Sequence, residues 1–105
     1  MVREVVPRVE RSEQSTVLLV EDDPILRSTL GFNLRREGYE VRLADNGERA
    51  LEIVRELGSA LDLIVLDVML PGIDGFQVLR QVRGTGGRMP VLMLSARGEE
   101  QDRID

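Results

Sequence analysis

The sequence predicts an α/β fold with a doubly wound parallel sheet, on three observations. Short, continuously apolar runs recur at Val17 to Val20, Leu63 to Leu66 and Pro90 to Leu94, the pattern of strands covered on both faces. Segments of helical length separate the strands, each with apolar residues gathered on one side. The crossovers between strands have the length that right-handed parallel units require.

Residues 1–15 mix Arg and Glu with Ser, Gln and a Pro without a sustained period, which predicts a flexible leader before a domain over residues 16–105. A first strand starts near Thr16. Asp23 then stands as an N-cap with Pro24 at the first helical position, and the helix runs to about Glu37 before Gly38 stops it. Tyr39 to Ala44 alternates, with Val41 and Leu43 on one side and Glu40 and Arg42 on the other, as in a half-exposed edge strand. Asp45-Asn46-Gly47 forms a turn. The next helix, about Glu48 to Leu57, gathers Ala50, Leu51, Ile53, Val54 and Leu57 on one face, and Gly58 and Ser59 close it.

After the central strand Leu61 to Leu66, Pro71 and Gly72 break regular structure in a loop from Val68 to Asp74. Asp74 is placed to cap a third helix that carries Phe76, Val78, Leu79 and Val82 inward before the link Gly84-Thr85-Gly86-Gly87. Ser95 directly follows the last apolar run, and Arg97 to Asp105 begins a fourth helix.

Composition removes several classes of function. A chain of 105 residues, 42% apolar, suits one small domain. It has no apolar segment of membrane-spanning length and no basic-then-apolar start, so no membrane association is expected and the cytoplasm is the expected compartment. A net charge of -5 argues against direct nucleic-acid contact by this segment and for a protein partner. There is no Cys for a disulfide or thiolate site, and no His for a phosphohistidine or a Ser-His triad. All 14 basic residues are Arg, which excludes a P-loop NTPase because that loop needs its Lys.

Chemistry collects at the strand ends. A parallel sheet places its carboxyl ends side by side, so Glu21, Asp22 and Asp23, then Asp67, then Ser95 converge on one edge. Carboxylates gathered there repel one another unless a cation lies between them, which favours a hard divalent ion with oxygen ligands and makes Mg²⁺ the natural candidate. A carboxylate beside Mg²⁺ acts as a nucleophile toward a phosphoryl group, so the set reads as phosphoryl acceptance on Asp67, with Ser95 donating a hydrogen bond to a phosphoryl oxygen. Each residue also has a plainer role open to it. Asp67 alone is a solvated acid at a strand end, Glu21 and Asp22 compete for helix capping, and Ser95 is a favoured cap for the next helix. The cap is assigned to Asp23 and the metal to Asp22, while Met69 and Met93 read as ordinary apolar positions.

Three segments, Val17 to Pro24, Leu63 to Gly75 (Leu-Ile-Val-Leu-Asp-Val-Met-Leu-Pro-Gly-Ile-Asp-Gly) and Pro90 to Ala96, occur in the order found in receiver domains of two-component response regulators, which the chain resembles from about residue 16 onward. The resemblance implies a flavodoxin-like, receiver-like sheet in the order 2-1-3-4. It implies Glu21 and Asp22 as the acidic pair, and Mg²⁺ held by Asp22, Asp67 and the backbone carbonyl of Met69. It further implies Asp67 as the residue phosphorylated by a sensor histidine kinase or phosphotransfer protein, and Ser95 as the switch hydroxyl. Receivers are signalling modules and not turnover enzymes, apart from slow autodephosphorylation, and a DNA-binding effector domain often accompanies them in a longer protein.

The chain also departs from that pattern. It lacks the fifth strand and fifth helix and has no Lys anywhere, whereas family members place a phosphoryl-contacting Lys at the end of the fifth strand. Ile25, Leu26, Leu30, Phe32 and Leu34 spread over about half the circumference of the first helix, and the last strand is apolar on both faces. Both features imply a neighbour, supplied either by sequence outside this chain or by a second copy through edge pairing or swapping. The alternative function is therefore a phosphorylation-incompetent interaction or dimerisation module. An Asp-nucleophile phosphatase of another superfamily would carry a second Asp two residues after Asp67, where Met69 stands.

Overall fold

The structure, a computed structural model, describes residues 14–94. Four strands and three helices alternate along the chain: β1 Thr16–Val20, α1 Pro24–Arg36, β2 Glu40–Ala44, α2 Gly47–Leu57, β3 Leu63–Asp67, α3 Gly75–Gly84 and β4 Val91–Leu94. A short 3-10 turn, Gly58–Ala60, links α2 to β3. All the pairings are parallel and the order is β2-β1-β3-β4, as expected for the doubly wound class. β1 and β3 are the inner strands. Ser95, the leader up to residue 13 and the segment expected to begin a fourth helix lie outside the described residues.

The strands sort their side chains onto two faces by the two-residue period of the pleat. Leu18, Val20, Ile64, Leu66, Val91 and Met93 point to one side and pack with Ala50, Ile53 and Val54 of α2 and with Val78 and Val82 of α3. Val17, Leu19, Val41 and Val65 point to the other, where Leu30 and Leu34 of α1 meet them. The second face is more thinly covered. Gly31 is the one fully buried residue of α1, while Ile25 and Phe32 are 76% and 60% exposed. The wide apolar arc expected for this helix thus turns largely to solvent. Leu92 of β4, which has a single strand partner among the described residues, is exposed as well.

Local signals account for most boundaries. The Asp23 carboxylate accepts from the Ile25 and Leu26 N–H groups with Pro24 at the first position, so α1 starts as expected. Asp74 and Gln77 form a reciprocal capping box at the start of α3. Asn46 caps α2 through the Arg49 N–H, which brings Gly47 into the helix one residue earlier than the turn signal suggests. Phe76, expected to face inward, is partly exposed because it lies on the outer side of α3, away from Val78 and Val82. Leu43 is likewise partly exposed at the β2 edge.

Two glycines set how closely the helices approach the loop after β3. A Cβ on Gly75 would sit 2.5 Å from the Asp67 carbonyl oxygen and 2.9 Å from the Val68 Cα, both backbone atoms that cannot step aside. A Cβ on Gly47 would meet Ile73 Cγ1 at 2.5 Å and Val78 Cγ2 at 2.8 Å. Gly75→Ala is therefore expected to cost roughly 1–3 kcal/mol, the usual cost of overpacking. Gly84, with nothing within 4 Å of its added Cβ, is the control. Gly84→Ala should be stabilising by about 0.4–1 kcal/mol in urea unfolding, and equal effects of the two substitutions would contradict the close approach at Gly75.

Candidate functional site

The carboxyl ends of the two inner strands hold the acids. β1 ends at Val20 and passes directly to Glu21, Asp22 and Asp23, while β3 ends on Asp67 itself. Pairing of Val20 with Leu66 brings these ends level. One carboxylate oxygen from each of Glu21, Asp22 and Asp67 falls within 4.8 Å of the others. Glu21 and Asp67 are buried, at 4% and 6% exposure, and Asp22 is exposed at the rim. Asp23 caps α1, as expected, and stands outside the cluster.

Each buried acid takes a backbone hydrogen bond from two residues further along. The Asp23 N–H donates to Glu21 Oε2 at 3.0 Å, and the Met69 N–H donates to Asp67 Oδ1 at 3.0 Å. No Arg among the described residues forms an ion pair with any of the three acids; the ion pairs found join Arg42 and Arg49 to Glu52 and Glu56. Burial pushes the Glu21 carboxyl above its usual range, with the negative charges of Asp67 and Asp22 adding to the effect and the Asp23 N–H opposing it. Burial also raises Asp67, the Met69 N–H and a hydrogen bond with the Glu21 carboxyl oppose, and the Asp22 charge adds.

The loops beside the cluster are tied from outside. The Glu21 N–H donates to the Ala44 carbonyl at the end of β2, and the Gly75 N–H donates to the Val68 carbonyl. Arg27, one turn into α1, reaches back so that Nη1 donates to the Glu21 carbonyl at 3.0 Å and the Asp22 carbonyl at 3.3 Å. The sequence analysis did not single out Arg27. Its signal is position, since a helical side chain leans toward the helix N-terminus and a residue one turn in covers the preceding turn.

Three hard oxygen donors, close together, two of them buried, with no ion-paired Arg among the described residues, have the chemistry of a site for a small divalent cation such as Mg²⁺. Fold and site together define an α/β domain with an acidic pocket at the carboxyl edge of its sheet. A family model described as the response regulator receiver domain matches residues 17–105. The sequence is 47% identical over 89 residues to the transcriptional regulatory protein AfsQ1 of Streptomyces coelicolor, covering 85% of this chain and 38% of that protein. It is 42% identical over 88 residues to the response regulator MprA of Mycobacterium tuberculosis, covering 84% and 37%. The structure of the Thermotoga maritima response regulator TrrA in complex with Mg²⁺ and BeF matches with a TM-score of 0.74 and 35% identity, covering 79% of this chain and 70% of that one. The chain belongs to the response regulator receiver family. It spans under two fifths of the length of these curated relatives. No helix among the described residues is long and apolar enough to cross a membrane.

The raised carboxyls give a signed pH dependence. Between the ordinary values, 4.5 for Glu21 and 3.8 for Asp67, and their higher folded values, the native state binds more protons than the unfolded chain. Their contribution to stability therefore falls as pH rises through that window. Asp67→Asn removes one charge and keeps an oxygen to accept the Met69 N–H. In metal-free buffer it should raise the thermal midpoint near pH 7 by about 4 °C or more, the shift that roughly 1 kcal/mol gives in a small domain. The gain should shrink as pH is lowered below the ordinary carboxyl range. A gain that is constant with pH, or a loss near pH 7, would show that Asp67 carries no buried-charge cost.

Proposed function

We propose that this domain receives a phosphoryl group on Asp67 from the phosphohistidine of a sensor histidine kinase or phosphotransfer protein, and that the modification alters a surface read by other proteins. The burial of Asp67 beside two further acids carries the proposal, because it sets a nucleophile where only a cation or a cation-bridged anion is welcome. The chain has no His, so the donor lies outside it. In the transfer an Asp67 carboxylate oxygen forms the new P–O bond as the P–N bond breaks, and the partner's imidazole leaves with the electron pair and is protonated. Glu21, Asp22, Asp67 and the backbone carbonyl of Met69 are the residues that would hold Mg²⁺. Bound there, the ion would offset the repulsion between the carboxylate and the phosphoryl oxygens.

Glu21 and Asp67 are equally buried and each takes one backbone N–H, so Asp67 is assigned as the acceptor on its place in the receiver-like segment Leu63 to Gly75. By its place after β4, Ser95 is assigned the switch hydroxyl. The modification adds charge to a two-state domain, and a protein that binds one state better draws the population toward it. In a longer protein of the AfsQ1 or MprA type, DNA contact would belong to another domain, in keeping with the net charge of -5 of this segment.

The test is intact mass after incubation with a small-molecule acyl phosphate, with and without Mg²⁺, on the chain and on Asp67→Asn. A gain of one phosphoryl group that needs Mg²⁺ and is absent from the variant is expected. No gain in a sample shown by circular dichroism to be folded would remove the acceptor role from this chain and leave a non-switching interaction module, the reading that the absence of Lys favours.

A further inference from the structure

Asp22 differs from its two neighbours in the cluster. Glu21 and Asp67 each have a carboxylate fixed by a backbone N–H, whereas no hydrogen bond to the Asp22 carboxylate is found among the described residues. Its position at the rim is set by its backbone alone. That backbone is gripped by Arg27, whose Nη1 bridges the carbonyl oxygens of Glu21 and Asp22 at 3.0 and 3.3 Å. The helix fixes Arg27 in turn, its N–H donating to the Asp23 carbonyl at 2.8 Å.

A guanidinium that reached one of the three carboxylates would form the stronger, charge-assisted contact. Such a pair would occupy the oxygens a metal needs. Arg27 Nη1 instead donates to carbonyls, so it ties the turn without engaging any carboxylate oxygen of the cluster. We infer that Arg27 is a positioning residue that presents Asp22 for divalent-cation binding. The inference rests on the metal-site reading above. It predicts a definite sign, because two effects of removing Arg27 oppose each other. Losing a nearby positive charge favours cation binding, and losing the fixed turn disfavours it. The contact with the Glu21 carbonyl is 3.0 Å and part-buried and that with the Asp22 carbonyl 3.3 Å and exposed, and a charge next to solvent is screened, so loss of positioning dominates.

Mg²⁺ titration by calorimetry of the wild-type chain, Arg27→Met, Arg27→Lys and Asp22→Asn, at about physiological salt, tests this. Arg27→Met keeps the alkyl stem and removes the donors, and is expected to weaken Mg²⁺ binding by about 10–100-fold, the usual cost of losing a group that orients a metal ligand. Arg27→Lys, which retains charge and one reach to a carbonyl, should recover part of the loss. Thermal midpoints without metal separate the roles, since a merely structural Arg27 would lower the midpoint and leave the dissociation constant unchanged. Unchanged or tighter binding by folded Arg27→Met overturns the inference while the metal site stands. No Mg²⁺ binding by the wild-type chain overturns both.

Discussion

Like charge withdrawn from water is the constraint on which the rest of this domain depends. Glu21 and Asp67 sit at the ends of the two inner strands, where apolar side chains would pack at no electrostatic cost. An unpaired buried carboxylate is among the most expensive groups a fold can hold. One backbone N–H to each, from Asp23 and Met69, and a hydrogen bond between the two carboxyls offset part of that cost and leave both acids titrating above their ordinary range. The remainder is an unsatisfied demand for positive charge, which no Arg among the described residues meets with an ion pair. A site that keeps such a demand open is built for a charge that arrives from outside.

Holding the acids this way makes the surrounding turns rigid. The turn after β1 is tied to the end of β2 through the Glu21 N–H and to α1 through Arg27. The loop after β3 is pressed from two sides, by the α3 backbone at Gly75 and by α2 at Gly47, whose lack of a side chain lets Ile73 and Val78 close in. In both turns the restraining groups act on backbone or on apolar atoms. The carboxylate oxygens that face the pocket stay uncommitted, which separates the task of fixing the site from the task of binding a ligand in it.

Much of this was legible in the chain because it depends on local chemistry. Continuous apolar runs predicted strands buried on both faces, and the Asp23-Pro24 and Asp74 caps predicted where two helices begin. Convergence of Glu21, Asp22 and Asp67 followed from topology, since parallel strands bring their carboxyl ends to one edge. Arg27 was harder to see because an Arg on an amphipathic helix has a solvated face as its default, and only the path of its side chain back over the turn distinguishes it. Phe76 was misplaced for a related reason. Its apolar character says that it prefers cover, and only the rotation of α3 set by Val78 and Val82 decides that it lacks full cover. The roles of Gly47 and Gly75 depend on distances between elements far apart in sequence, which no local pattern encodes.

The unequal cover of the sheet's two faces bears on where a charge at Asp67 would be felt. β1 and β3 are paired on both sides and lie at the centre of the sheet, so displacement of Asp67 along its own strand would break the best-packed part of the fold. β4 has one strand partner among the described residues and carries exposed Leu92, which places it among the elements that move at lowest cost. It is also joined directly to the acidic loop. Asp67 is in register with Leu94, and the Val68 N–H donates to the Leu94 carbonyl at 2.9 Å. Any adjustment of the Asp67–Val68 backbone therefore pulls on the end of β4 before it strains the inner strands. In the proposed switch, that edge is where a second arrangement would be accommodated, with the inner strands keeping the acids in place.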